Sequence, residues 1–349
     1  MATSELEELR SGPAAVGPRL RVADAPRVAA TPWRSALAGP AVALVALAAA
    51  EVATRSAGVP LRDPGMVATR RLAIAVGMVV ALSAVDAVAR AVRRAGARWT
   101  RERVALVALA LVCFHVTYLA YRNIKSVAPL LRPGDLLDAQ LLDIDRWLFA
   151  GSSPGALLHG LLGTGAAAHV LSASYMLFFT LIPVTLAAGL VLLPDIRAGL
   201  HLATGLSLAW LLGAGSYLLL PSIGPFHADP AAFAALPHTS VGDLQHLLLA
   251  QRETFLAHPS ATGAFQSIGA FASLHTAICA TALLAAHRLG VPWVLKALVW
   301  AVAAATITAT IYFGWHYLLD DVAGVAIAFL ALGIARALDG FDPRRRLST

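Results

Sequence analysis

The chain has 349 residues, 58% hydrophobic and 13% charged, with a formal net charge of +7. Soluble domains carry about 25% charged residues, so this composition excludes an ordinary soluble domain and places most of the chain in lipid. The basic excess sits between apolar runs, where it reads as membrane topology and not as a nucleic-acid surface.

Residues 1–33 contain no apolar core of a cleavable signal and are expected to form a disordered cytoplasmic tail. Crossing a hydrocarbon layer of about 30 Å takes about 20 helical residues. Apolar stretches of that kind are predicted at 36–54, 72–92, 103–121, 168–193, 199–220, 268–287, 292–313 and 316–337. They describe an all-α integral membrane protein with about eight transmembrane helices, the first of them bracketed by Arg34 and Glu51 and the weakest. Cys113 and Cys279 fall inside spans and read as small buried hydrophobes without a disulfide role.

Arg93, Arg94, Arg98, Arg101 and Arg103 lie between the second and third spans, and Arg197, Arg288 and Arg344-Arg345-Arg346 fall on the same side. The positive-inside rule makes that side cytoplasmic, although Arg62, Arg70 and Arg71 on the other side weaken the bias. Both termini are then cytoplasmic, and 122–167, 221–267 and the start of the last span are extracytoplasmic. On that side, Leu137, Leu141, Ile144 and Leu148 form one helical stripe within 135–149, with Asp135, Asp138, Asp143 and Asp145 mostly elsewhere, the pattern of a helix lying in the interface. The segment 221–267 is long enough to cover a site, and its histidines His227, His238, His246 and His258 lack ligand spacing and are expected to be solvated.

Three constellations carry chemistry. Lys125 and Arg132, seven positions apart beyond the third span, can converge on one anion or can simply anchor the helix end among lipid head groups. His275 stands at the start of the sixth span with Ser273 before it. An imidazole at that depth is a functional hypothesis by default, the alternatives being a histidine bonded to a neighbouring helix and a serine that caps its own. His316 and Asp320, at i and i+4, share a helix face; a carboxylate on one ring nitrogen fixes the tautomer and raises the basicity of the other, as a nucleophilic histidine requires. The alternative is that Asp320 and Asp321 only favour the positive helix end.

In this order, Lys-x6-Arg-Pro, Ser-x-His and His-x3-Asp resemble the type 2 phosphatidic acid phosphatase superfamily of lipid phosphatases and phosphotransferases. Gly269-Ala270-Phe271-Ala272-Ser273-Leu274-His275 and the run from Ala309 to Asp320 look most like its inositol phosphorylceramide synthase, or inositolphosphotransferase, branch. The resemblance covers roughly 104–337. It departs from the broad superfamily in having Ala272-Ser273-Leu274-His275 for Pro-Ser-Gly-His and Ala309-Thr310 for the usual Ser-Arg, and its Lys-x6-Arg-Pro is that of the broad superfamily.

The resemblance implies two accessory helices in 34–102, a six-helix catalytic domain over 103–338 and a basic cytoplasmic tail at 339–349. It implies His316 as nucleophile through a phosphohistidine, Asp320 as its stabiliser and His275 as acid and base. Lys125, Arg132 and Ser273 would bind phosphate, with no cofactor and no metal. The substrate would be a phospholipid or polyprenyl phosphate reached from the lipid bilayer at the extracytoplasmic face of the plasma membrane. Water as acceptor gives a phosphatase and a hydroxyl gives a transferase. Two rivals stand beside it: a metal hydrolase with His316, Asp320 and His275 as ligands, and a non-enzymatic lipid carrier using Asp86 and Arg90.

Overall fold

The computed structural model describes residues 32–94 and 98–342, so the expected N-terminal tail up to residue 31 and the basic run Arg344–Arg346 lie outside the described residues. No strand occurs among the described residues. The long helices are α1 (Pro32–Ser56), α2 (Val67–Val92), α3 (Arg101–Leu131), α6 (Ala166–Leu192), α7 (Ile196–Leu219), α10 (Leu274–Arg288), α11 (Trp293–Tyr312) and α12 (Leu318–Asp339). Between them lie α4 (Asp138–Leu148), α5 (Pro154–Leu162), α8 (Pro225–Ala228) and α9 (Ser240–Ala257).

Among the described residues seven helices are long and apolar enough to cross a membrane; α10, with 15 residues, is the one that falls short of the eight expected spans. Fifteen residues rise only about 22 Å. Hydropathy places its start near 268, but 268–273 is not helical. Its amides find other acceptors: Ala270 and Phe271 donate to the carbonyl and hydroxyl oxygens of Ser222 at 2.9 and 3.0 Å, Ala272 to Ser216 Oγ at 2.8 Å, and Ser273 to the Asp320 carbonyl at 3.0 Å. Non-helical backbone at such depth is tolerated because protein, not lipid, surrounds it.

Helix α3 packs on α1 and α7, α7 on α12, and α12 on α10, while α2 lies against α6 and α11 against α6 and α10. Small residues allow these approaches: a Cβ on Gly199 would sit 2.5 Å from the Gly189 carbonyl oxygen, so α6 and α7 meet backbone to backbone. The last carbonyls of α6 are capped by guanidinium groups, Arg98 on Val191 at 2.8 Å and Arg103 on Leu190 and Leu193 at 3.0 and 2.9 Å. Asp86 pairs with Arg90 at 3.2 Å one turn away and with Arg98 at 3.6 Å. Cys113 and Cys279 are buried and free.

The expected interfacial helix is α4, but its buried face is not the leucine stripe. Asp138 and Asp145 are buried with Leu141 and Leu142, whereas Ile144 and Leu148 are exposed. The carboxylates turn inward because buried amides need them. Asp138 accepts from Ile223 at 3.0 Å and Gly224 at 2.8 Å, and Asp145 accepts from Leu318 at 3.2 Å. The segment 221–267 is built around α8 and α9, and its four histidines are exposed, as expected.

Candidate active site

Two helix starts form the site. Tyr317 precedes α12, and Asp320, three residues in, accepts the Tyr317 amide at 3.0 Å through the oxygen that lies 3.3 Å from His316 Nδ1. Ser273 caps α10 by accepting the Thr276 amide at 3.3 Å, which sets His275 in the first turn. The Ser273 amide bonded to the Asp320 carbonyl ties the two starts together. Helix α4 fixes them from outside: Asp145 takes the first amide of α12, and the Tyr317 hydroxyl donates to Asp138 at 2.8 Å. Burial pushes the Asp145 carboxyl up to about 6 against the lowering effect of the Leu318 amide, with Asp320 adding to the rise. Burial and the carboxylate of Asp138 also raise the Tyr317 phenol, which keeps it a donor.

His275 Nδ1 lies 3.1 Å from His316 Nε2. The partners assign the protons. Asp320 requires a proton on His316 Nδ1, which leaves Nε2 as an acceptor for the proton that His275 Nδ1 donates. The two neighbours address opposite edges of one ring. A shared metal ion would need all three groups turned to one point, which this arrangement does not provide.

Both histidines border a cavity of about 610 Å³ walled by aromatic rings from α3, α6 and α7. Lys125 also lines it, its Nζ 4.5 Å from the Tyr217 ring centroid and 3.5 Å from the Tyr217 hydroxyl. Two further cations face the same space. Arg122 pairs with Asp63 and lies 4.6 Å from the Phe265 ring, and Arg71 of α2 lies 5.4 and 5.1 Å from the rings of Tyr118 and Phe179. Leu244, Leu248 and Gln251 of α9 form part of one wall, so the segment 221–267 contributes to the lining of the cavity.

The structure therefore gathers His275, His316, Asp320 and Lys125. Arg132 and Ser273 do not line that cavity. Arg132 lines a neighbouring pocket that has Tyr217, Ile268 and Gly269 in common with the catalytic cavity, and is bonded to Asp135 at 2.8 Å and to the Leu218 carbonyl at 2.6 Å. Ser273 is fully buried, its hydroxyl engaged with Thr276, which in turn bonds Asp321. The residues that sequence reasoning missed are Arg71, Arg122, Asp138 and Asp145. Arg122 carried a signal, since it stands one turn before Lys125 on the same face of α3.

The family model of the PAP2 superfamily matches residues 139–334, more than half of the chain. This chain belongs to the PAP2 superfamily. No curated protein and no solved structure matches it. Membership points to a lipid phosphatase or phosphotransferase, and the match is to the superfamily as a whole, not to a branch of it. Of the candidate site, the matched region holds His275, His316 and Asp320, whereas Lys125, Arg71 and Arg122 of this PAP2 protein stand on α2 and α3, upstream of the match.

Proposed function

We propose that this protein is a membrane phosphotransferase or phosphatase that acts on a lipid-linked phosphoester through a phosphohistidine on His316. The observation that carries the reading is the hydrogen-bonded row His275, His316, Asp320 opening on a cavity that also holds Lys125. For the reaction His275, as an imidazolium, turns its N–H from His316 to the leaving oxygen. The freed Nε2 lone pair of His316 attacks phosphorus as the P–O bond to the leaving oxygen breaks and that oxygen takes the His275 proton. Asp320 stabilises the charge on the His316 ring. A water or alcohol then passes a proton to His275 and attacks the phosphohistidine, which frees His316. Lys125 neutralises charge on the phosphoryl oxygens, the electrostatic part on which phosphoryl transfer chiefly depends.

The Ser-Leu-His run at 273–275 and the lack of an arginine at position 310 support an inositolphosphotransferase-like reaction, with simple hydrolysis of a lipid phosphate as the competing reading. The distribution of Lys and Arg supports a site on the extracytoplasmic face. The test is to incubate purified protein in EDTA with labelled phosphatidic acid, phosphatidylinositol and polyprenyl phosphate. Acid-labile label on His316 and its loss in His316→Asn are expected. Full turnover by His316→Asn would overturn the mechanism, and abolition by chelator would restore the metal hydrolase.

A further inference from the structure

Beside the catalytic cavity, within the apolar helices, lies a second cavity of about 230 Å³ enclosed by α2, α3 and α6. The two cavities share Arg71, Tyr118 and Phe179, so they meet at these three side chains. Its far end is marked by Met78, Leu111 and Leu186. Each of these lies seven residues along its helix from Arg71, Tyr118 and Phe179 respectively, which makes the groove about 10 Å deep on all three walls. Apart from Arg71 and Tyr118 at the junction, its polar lining side chains are His115 and Thr180. Along one side it is flanked by Ile74 of α2, 52% exposed, and by the exposed Thr180 of α6, so its edge faces the surroundings of the helices.

Arg71 stands at the junction. Its guanidinium lies against two aromatic faces and makes no ion pair among the described residues. Above it is the polar cavity with Lys125 and the two histidines, and below it an apolar slot. That order, cation at the boundary and hydrocarbon-compatible space beyond, matches an amphiphile with an anionic head.

We infer that the groove between α2, α3 and α6 holds a hydrocarbon chain of the lipid substrate, admitted sideways between Ile74 and Thr180, while Arg71 grips the phosphoester at its head. This rests on the lipid phosphoester reading above and adds where the chain lies and which residues measure it. Helix α2, outside the matched superfamily region, thereby becomes part of substrate selection.

Met78 at the far end sets the length that fits. With phosphatidic acids from dihexanoyl to dipalmitoyl, Met78→Trp is expected to lower the long-chain to short-chain ratio of kcat/KM at least tenfold, and Met78→Ala to move the optimum toward longer chains. A misfolded variant loses every chain length alike and leaves no such ratio. A phosphatidic acid carrying a diazirine at its chain end should label wild-type protein on α2, α3 or α6 near Met78, Leu111 and Leu186. Labelling confined to other helices overturns the groove, as does an unchanged ratio in a Met78→Trp protein active on short chains. Absence of turnover on any phosphoester would instead overturn the proposed function, and the labelling would still report on the groove.

Discussion

A Cβ built on Gly324 would lie 2.5 Å from the carbonyl oxygen of Ser273, so α12 touches the start of α10 backbone to backbone. The same junction carries the bond from the Ser273 amide to the Asp320 carbonyl. Gly324→Ala must push α12 from α10, and with it His316 from His275. Overpacking of this kind costs about 1–3 kcal/mol. The expected outcome is a lower melting temperature in detergent and a fall of about tenfold or more in kcat, because small misplacements of reacting groups cost about that much or more. Wild-type values of both would show that the junction does not set the site.

His275 is placed to protonate a leaving oxygen. Loss of a general acid costs about 10²–10⁴ in rate. His275→Gln should therefore lose about that much against a phospholipid, whose leaving alkoxide needs a proton. It should lose far less against p-nitrophenyl phosphate, whose leaving group departs without one. Equal losses on both substrates would remove the acid role from His275.

What the sequence made legible follows from how local each signal is. His316 and Asp320 lie within one helical turn, so spacing alone joined them, and His275 and Lys125 stood out as polar groups at the ends of apolar runs. Arg132 and Ser273 looked equivalent by the same criterion, but nearer partners claim them: Asp135 and the Leu218 carbonyl for one, the first turn of α10 for the other. Arg71 reaches the cavity from α2, and no sequence period links it to residues fifty or more positions downstream. In α4, periodicity assigned the carboxylates to water. The buried amides of Ile223, Gly224 and Leu318 reversed that, and they belong to segments 75 or more residues away. Hydropathy also could not see that 268–273 spends its amides on Ser216, Ser222 and Asp320 instead of on a helix.

Gly269 leaves room for Lys125. A Cβ there would meet Tyr217 Cδ1 at 3.1 Å and Lys125 Cε at 3.2 Å. Gly269→Ala should displace the ammonium group by a few tenths of an ångström and raise KM several-fold for a phosphoester, while Lys125→Ala should lower kcat/KM by about tenfold or more by removing a charge-assisted contact. Arg132→Ala, outside the cavity, should change these constants less than Lys125→Ala does. Steady-state kinetics on the three variants decide it, and a larger loss in Arg132→Ala would move the phosphate to the neighbouring pocket.

Asp145 makes the fold sensitive to pH. It is 1% exposed, and its oxygens accept the Leu318 amide at 3.2 and 3.3 Å. Burial raises its pKa from 3.8 to about 6, so the folded chain holds this proton more tightly than the unfolded chain does. A raised carboxyl pKa stabilises the fold fully below about pH 4, and the contribution is lost as pH rises through about 6. A rise from 3.8 to about 6 corresponds to roughly 3 kcal/mol. Asp145→Asn keeps an oxygen for the Leu318 amide and cannot ionise. The melting temperature of the wild-type protein relative to Asp145→Asn should therefore fall between about pH 4 and pH 7 and then level off. Two curves that stay parallel across that range would mean that Asp145 is ionised at no cost, and the inward face of α4 would need a different source of stability.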